Sequence, residues 1–157
     1  MSSVVVELAQ RLIALKWMMC TAESCTGGMI AARCTDLAGS SAWFERGFVT
    51  YANEAKAQML GVPLDLITAH GAVSESVARA MALGAIYRSS AHVSVAVTGV
   101  AGPSGGSPDK PVGTVWLSWC IQGVVSVQLQ HFDGDRSQIR LATTAHALEG
   151  LLERLPH

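Results

Sequence analysis

The strongest constraint on the fold is a repeated change of apolar period along the chain. Helix-spaced segments alternate with short, nearly continuous apolar runs, and Gly, Pro, Asn and Ser separate the two kinds. The first pattern buries one stripe of a helix, and the second suits a buried strand. Residues 3 to 16 place Val5, Leu8, Leu12 and Leu15 at helical spacing and predict an amphipathic helix. "WMMCTAES" then reads as a buried strand, and "CTGGMIAARCTDLAG" as a turn and helix with Thr26 as its cap. "RGFVTYAN" is a strand with Phe48 and Thr50 on one face and Val49 and Tyr51 on the other; Asn53 caps the short helix of "EAKAQMLGV", which Gly61 and Pro63 stop. Residues 64 to 69 form another helical turn, and Ser74 caps "ESVARAMALGAIYRSS". "HVSVAVTG" is a buried strand, "VGTVWLSWC" and "VVSVQLQHF" pair as an antiparallel hairpin around Gln122 and Gly123, and Asp135 caps a closing helix over about residues 136 to 154. This order predicts an α/β fold, a three-layer α/β/α sandwich around a mixed, mostly parallel sheet of about five strands. No shift of composition or internal repeat divides residues 1–157, so one domain is expected.

Charge and cysteine usage exclude several classes of function. Lys and Arg number 11 against 12 Asp and Glu, without a basic run or a basic patch interleaved with aromatics, so nucleic acid is not an expected partner. No apolar run approaches the roughly 18 residues that suggest a membrane span. Cys20, Cys25, Cys34 and Cys120 form no CxxC pair, and Glu7, Arg11 and Lys16 interrupt the apolar start, which predicts a cytoplasmic chain with free thiols. His92, His131 and His146 fall on different elements without metal-ligand spacing, so no metal is expected. "GPSGGSPDK" lacks the Gly-Lys-Ser/Thr ending of a P-loop and "ESCTGG" lacks GxGxxG, so neither announces ATP or NAD, and no cofactor is expected.

Three polar loops fall where strands end: "ESCTGG", the segment "GSSAWFERGFVTYANEAK" and "TGVAGPSGG". Open α/β sheets bind ligands in a crevice at the carboxyl ends of strands, so the three can share one site. Lys56 falls in the first turn of a helix, where the dipole disfavours a cation by roughly 0.3–1 kcal/mol. A lysine discouraged from holding its proton can activate a serine, here Ser41, with Tyr51 relaying a proton or steadying an oxyanion. The same residues also suit a turn, an amphipathic strand and a solvated surface. Cys25 near a helix start is a rival nucleophile, although a small core thiol beside Gly-rich packing is the commoner use of such a residue. His70 is a candidate base or substrate contact, although a polar residue before the turn at Gly71 is the commoner use of such a position. Arg136 and Arg140, one turn apart after Asp135, can reach a phosphate on one side or stand solvated.

Taken together, "TAESCTGG", "GSSAWFERGFVTYANEAK", "HGAVSE", "TGVAGPSGGSPDKPVGTVW" and "FDGDR" closely resemble the CinA C-terminal family over roughly residues 5 to 155. Members acting alone include nicotinamide-nucleotide amidohydrolases, and the resemblance is to that stand-alone form. It implies hydrolysis of the carboxamide of nicotinamide mononucleotide to nicotinate mononucleotide and ammonia, in recycling of NAD, on an α/β/α fold. The family's Ser, Tyr and Lys positions are carried over to Ser41, Tyr51 and Lys56, with Ser41 attacking the amide carbon and Lys56 as base. Substrate binding is then expected from Glu23, Ser24, Thr26, Gly27, Gly28, Asn53, His70, Thr98, Gly99, Gly102, Arg136 and Arg140. The competing readings are a non-catalytic pyridine-nucleotide-binding module, a competence-linked regulatory or DNA-processing accessory, and a Ser/Tyr/Lys dehydrogenase, whose Tyr-to-Lys spacing would be four rather than five. Trp43, Trp116 and Trp119, if they face outward, are compatible with a homodimer, as they are with places in a core.

Overall fold

The computed structural model describes residues 3–157. In chain order the elements are α1 (Ser3–Leu15), β1 (Met19–Glu23), α2 (Met29–Thr35), a 3₁₀ turn (Ser40–Ala42), β2 (Phe44–Val49), α3 (Asn53–Leu60), α4 (Leu64–His70), α5 (Glu75–Tyr87), β3 (Val93–Gly99), β4 (Thr114–Ile121), β5 (Val124–His131) and α6 (Arg136–Arg154). The strands form one sheet in the order β2-β1-β3-β4-β5. β1 lies parallel to both β2 and β3, while β4 runs antiparallel to β3 and β5, so β4 alone is reversed. The hairpin at Gln122 and Gly123 follows from a turn in which both residues have positive φ, 49° and 84°, the twist that suits two-residue connections.

β3 shows why the sheet needs two helical layers. Val93, Val95 and Val97 point into a core with α1, α2 and α6, where Leu8, Leu12, Ile30 and Leu148 meet them. Ala96, on the other face, joins a second core with Val77, Met81 and Ala82 of α5 and with Leu60 and Ile67 of the two helices beside it. The second layer approaches very closely. Ser94 and Ser118 donate hydrogen bonds to the Ala82 and Ala78 carbonyls of α5, so small hydroxyl residues can face a helix without losing a polar partner. Gly84 of α5 lies under α3, where a Cβ would stand 2.0 Å from the Leu60 carbonyl oxygen.

Three local expectations are corrected. Thr26 is not the cap of α2, which starts only at Met29; its hydroxyl instead donates to Glu23. Asn53 is the first residue of α3, and Ala52 occupies the cap position without a side-chain bond. The second strand stops at Val49, leaving residues 50–52 as a connection. Ser74 and Asp135 do cap their helices, Asp135 through a capping box with Gln138. Trp43 and Trp119 are buried rather than outward-facing, and Trp116 is half-buried, so two of the three residues offered for a dimer surface belong to the core. Among the described residues no helix is long and apolar enough to cross a membrane.

Candidate active site

At the carboxyl end of β1 the chain turns sharply through Ser24–Gly28 before α2 begins. Glu23 organises this turn from inside. One carboxylate oxygen accepts from the Thr26 hydroxyl at 2.5 Å and from the Gly28 and Ile30 amides at 3.2 and 2.9 Å, and the other accepts from Ala31 at 3.0 Å. A helix N-terminus with its unpaired amides attracts an anion, and here the protein supplies its own. The Gly28, Ile30 and Ala31 amides are therefore already occupied, and Glu23, Thr26, Gly27 and Gly28, all expected to bind substrate, do not line the neighbouring cleft. Arg140 closes the turn from the α6 side, donating to the Cys25 carbonyl at 3.0 Å and the Thr26 carbonyl at 3.1 Å. It positions the loop and does not line the cleft.

This scaffold presents Ser24, whose amide donates to the Val97 carbonyl at 3.2 Å. Its hydroxyl meets Lys56. The Lys56 side chain, which points back toward the start of α3 as helical side chains do, is 1% exposed. Nζ stands 3.0 Å from each of three oxygens, Ser24 Oγ, the Thr50 carbonyl and the Tyr51 carbonyl. Burial pushes its pKa below the ordinary lysine value, because the ammonium loses water that three protein oxygens replace only in part; the nearby Cys25 acts weakly the other way. As a neutral amine the same nitrogen keeps two hydrogens for the two carbonyls and turns its lone pair toward Ser24. The three-oxygen arrangement therefore suits both protonation states.

An open cleft of ≈ 320 Å³ lies over this pair. Tyr51, Asn53, Ala72, Val73, the loop from Thr98 to Gly105 and Arg136 supply its walls. Tyr51 reaches Lys56 only through its carbonyl; its phenol is 60% exposed and accepts a hydrogen bond from Arg136 at 3.0 Å. Thr98 is buried and donates to the Ala72 carbonyl at 2.8 Å, which ties two walls together. Cys25 touches the cleft, but burial pushes its thiol up to about 11, so little of the nucleophilic thiolate exists near neutral pH. His70 is exposed at the end of α4, outside the cleft, with its carbonyl accepting from Lys110 at 2.8 Å.

Ser41 does not join Lys56. It is exposed in the 3₁₀ turn before β2, and the Trp43 carbonyl beside it accepts from Met19 at the start of β1. Lys56 follows the other end of β2, so the six residues of that strand, a span of about 20 Å, separate the two. The expected trio thus divides: Tyr51 and Lys56 belong to the cleft, and the serine beside them is Ser24. Its signal in the sequence was position. Ser24 ends a strand, where parallel sheets bind ligands, whereas Ser41 precedes one. Ala72, Val73, Val100, Ala101, Ser104 and Gly105 are the further lining residues that the sequence reading did not name.

A Lys–Ser pair at the carboxyl ends of the parallel strands of a three-layer α/β/α fold defines a candidate acyl-transfer site. The chain belongs to the CinA C-terminal domain family, whose model matches residues 1–155. It is 53% identical over 135 residues to the nicotinamide-nucleotide amidohydrolase PncC of Escherichia coli K12, covering 85% of this chain and 82% of that protein. It is 54% identical over 134 residues to a CinA-like protein of Akkermansia muciniphila; the match covers 85% of this chain but 32% of that relative, so the chain spans about a third of its length. Among solved structures, the competence damage-inducible protein A from Klebsiella pneumoniae matches with a TM-score of 0.94 and 38% identity, over 98% of this chain and 96% of that one.

Proposed function

We propose that this chain is an amidohydrolase that converts nicotinamide mononucleotide to nicotinate mononucleotide and ammonia, with Ser24 as nucleophile and Lys56 as general base. The observation that carries the reading is the 3.0 Å contact between Lys56 Nζ and Ser24 Oγ at the floor of the cleft. Similarity to the amidohydrolase PncC of Escherichia coli over 82% of that protein supports the choice of substrate.

The reaction divides into two acyl transfers. Neutral Lys56, held by the Thr50 and Tyr51 carbonyls, takes the Ser24 proton as Oγ attacks the carboxamide carbon. The resulting oxyanion needs donors; the Ser24, Gly27, Gly28, Met29, Ile30 and Ala31 amides are already bonded within the protein, which leaves the Cys25 and Thr26 amides of the turn as the candidates, each typically worth about 3 kcal/mol. Lys56 then returns its proton to the departing nitrogen, ammonia leaves, and nicotinate remains as an ester on Ser24. Water enters with Lys56 again as base, the ester carbon–oxygen bond breaks, and Ser24 recovers its hydrogen. Glu23 and Arg140 act on the reaction only through the turn that holds Ser24.

The test is to supply nicotinamide mononucleotide and follow ammonia and nicotinate mononucleotide together. Stoichiometric appearance of both is expected. Binding of the nucleotide, seen as thermal stabilisation, without release of ammonia would instead identify a non-catalytic nucleotide-binding module.

A further inference from the structure

Two cationic side chains line the cleft, and their commitments differ. Lys56 is buried among three oxygens. Arg136 is exposed, and its guanidinium donates to the Gly102 carbonyl at 2.8 Å and to Tyr51 Oη at 3.0 Å. Both acceptors are neutral. Among the described residues Arg136 takes part in no ion pair, although other arginines do. It is also the first residue of α6, where the helix dipole works against a cation. A planar guanidinium is best matched by a carboxylate or phosphate, so an arginine in a cleft that is held by a carbonyl and a phenol is underused.

We propose that Arg136 is the residue that selects substrates carrying a 5′-phosphate, and that the phosphate, by drawing the guanidinium away, releases the Tyr51 hydroxyl into the cleft. This rests on the amidohydrolase reading above. A dianionic phosphate outcompetes a neutral hydroxyl and a carbonyl for the same fork of donors. Tyr51 sits between the two events: its phenol is tied to Arg136, while its carbonyl holds Lys56. The phosphate therefore contributes beyond adherence. Part of its interaction energy appears in turnover, as expected when a remote group organises the reacting centre.

The experiment compares nicotinamide mononucleotide with nicotinamide riboside, which lacks the phosphate, on the wild-type, Arg136→Met and Tyr51→Phe proteins. Arg136→Met is expected to lower kcat/KM for the nucleotide by roughly 10- to 100-fold, the worth of a charge-assisted hydrogen bond, and, because it frees Tyr51 without a phosphate, to raise kcat for the riboside toward that for the nucleotide. Tyr51→Phe is expected to erase the nucleotide's advantage in kcat while preserving its advantage in binding. In parallel, equilibrium binding of both compounds to Ser24→Ala protein, with and without Arg136→Met, reads the phosphate preference without turnover. Equal loss on both compounds, or a preference that survives Arg136→Met, would overturn the proposal. If neither compound releases ammonia the amidohydrolase reading fails, and the binding comparison still decides whether Arg136 selects the phosphate.

Discussion

Replacing Lys56 by Met separates what this residue does for folding from what it does for chemistry. Methionine keeps the length and apolar stem of the side chain, so little cavity is created in a site that is 1% exposed. The cost to stability comes from Ser24 Oγ, the Thr50 carbonyl and the Tyr51 carbonyl, which lose a shared donor. Unsatisfied buried acceptors cost about 1–3 kcal/mol each, but removing a buried ammonium returns part of this because its own desolvation disappears. The net change should be no more than about 3 kcal/mol, within what a folded protein of this size tolerates. Loss of a general base costs about 10²- to 10⁴-fold in rate. Urea unfolding of both proteins gives the first quantity, and ammonia release from nicotinamide mononucleotide gives the second. For the wild type, kcat/KM should rise with pH as Lys56 loses its proton, with a midpoint below 10.5 because burial lowers this pKa. The rise should vanish in the variant. Stability bears the same signature: below 10.5 the unfolded chain binds a proton that the folded Lys56 resists, so this residue makes stability increase with pH through that window. A folded Lys56→Met protein with near-normal turnover, or an unchanged pH profile, would show that Lys56 is not the base.

Three further outcomes are expected. Glu23→Gln puts an amide where a carboxylate accepts three backbone hydrogen bonds at the head of α2, and should lower stability by about 1–3 kcal/mol in urea unfolding. Gly84→Ala should cost a similar 1–3 kcal/mol, read as a lower melting temperature, because the added methyl meets backbone at Leu60 rather than a side chain that can turn aside. Burial raises Cys34 from 9.0 to about 12, so between these values the unfolded thiol ionises and the folded one does not; the contribution of this residue makes stability fall as pH rises above 9. Cys34→Val should remove up to about 2 kcal/mol of that loss at pH 10.5, measured against the wild type at pH 8.

The fold was legible because its signals are local. The helical stripe of α1, the Ser74 and Asp135 caps and the Gln122–Gly123 turn each declare themselves within a few residues. Glu23 was harder to read: a strand-end carboxylate next to a Gly-rich turn looks the same whether it faces a ligand or turns inward to cap a helix seven residues on. Which way it turns is decided by tertiary packing. The pairing of Lys56 with a serine 32 positions earlier depends on β1 and β2 being parallel neighbours in register, Glu23 opposite Val49. That register also explains why Ser41 lies apart from Lys56, since a parallel pair sends the start of β2 to the end of the sheet remote from Lys56. Arg140 shows the same limit, because its carbonyl partners lie 115 and 114 residues away in sequence.

Ser24, positioned by Lys56, is proposed as the nucleophile of an amide hydrolysis. This role is tested most directly by measuring ammonia release from nicotinamide mononucleotide with folded Ser24→Ala and Ser41→Ala proteins side by side. Ser24→Ala should lose at least about 10²-fold in kcat, and Ser41→Ala should turn over like the wild type. Normal turnover by Ser24→Ala, or its loss in Ser41→Ala, would show that Ser24 is not the nucleophile.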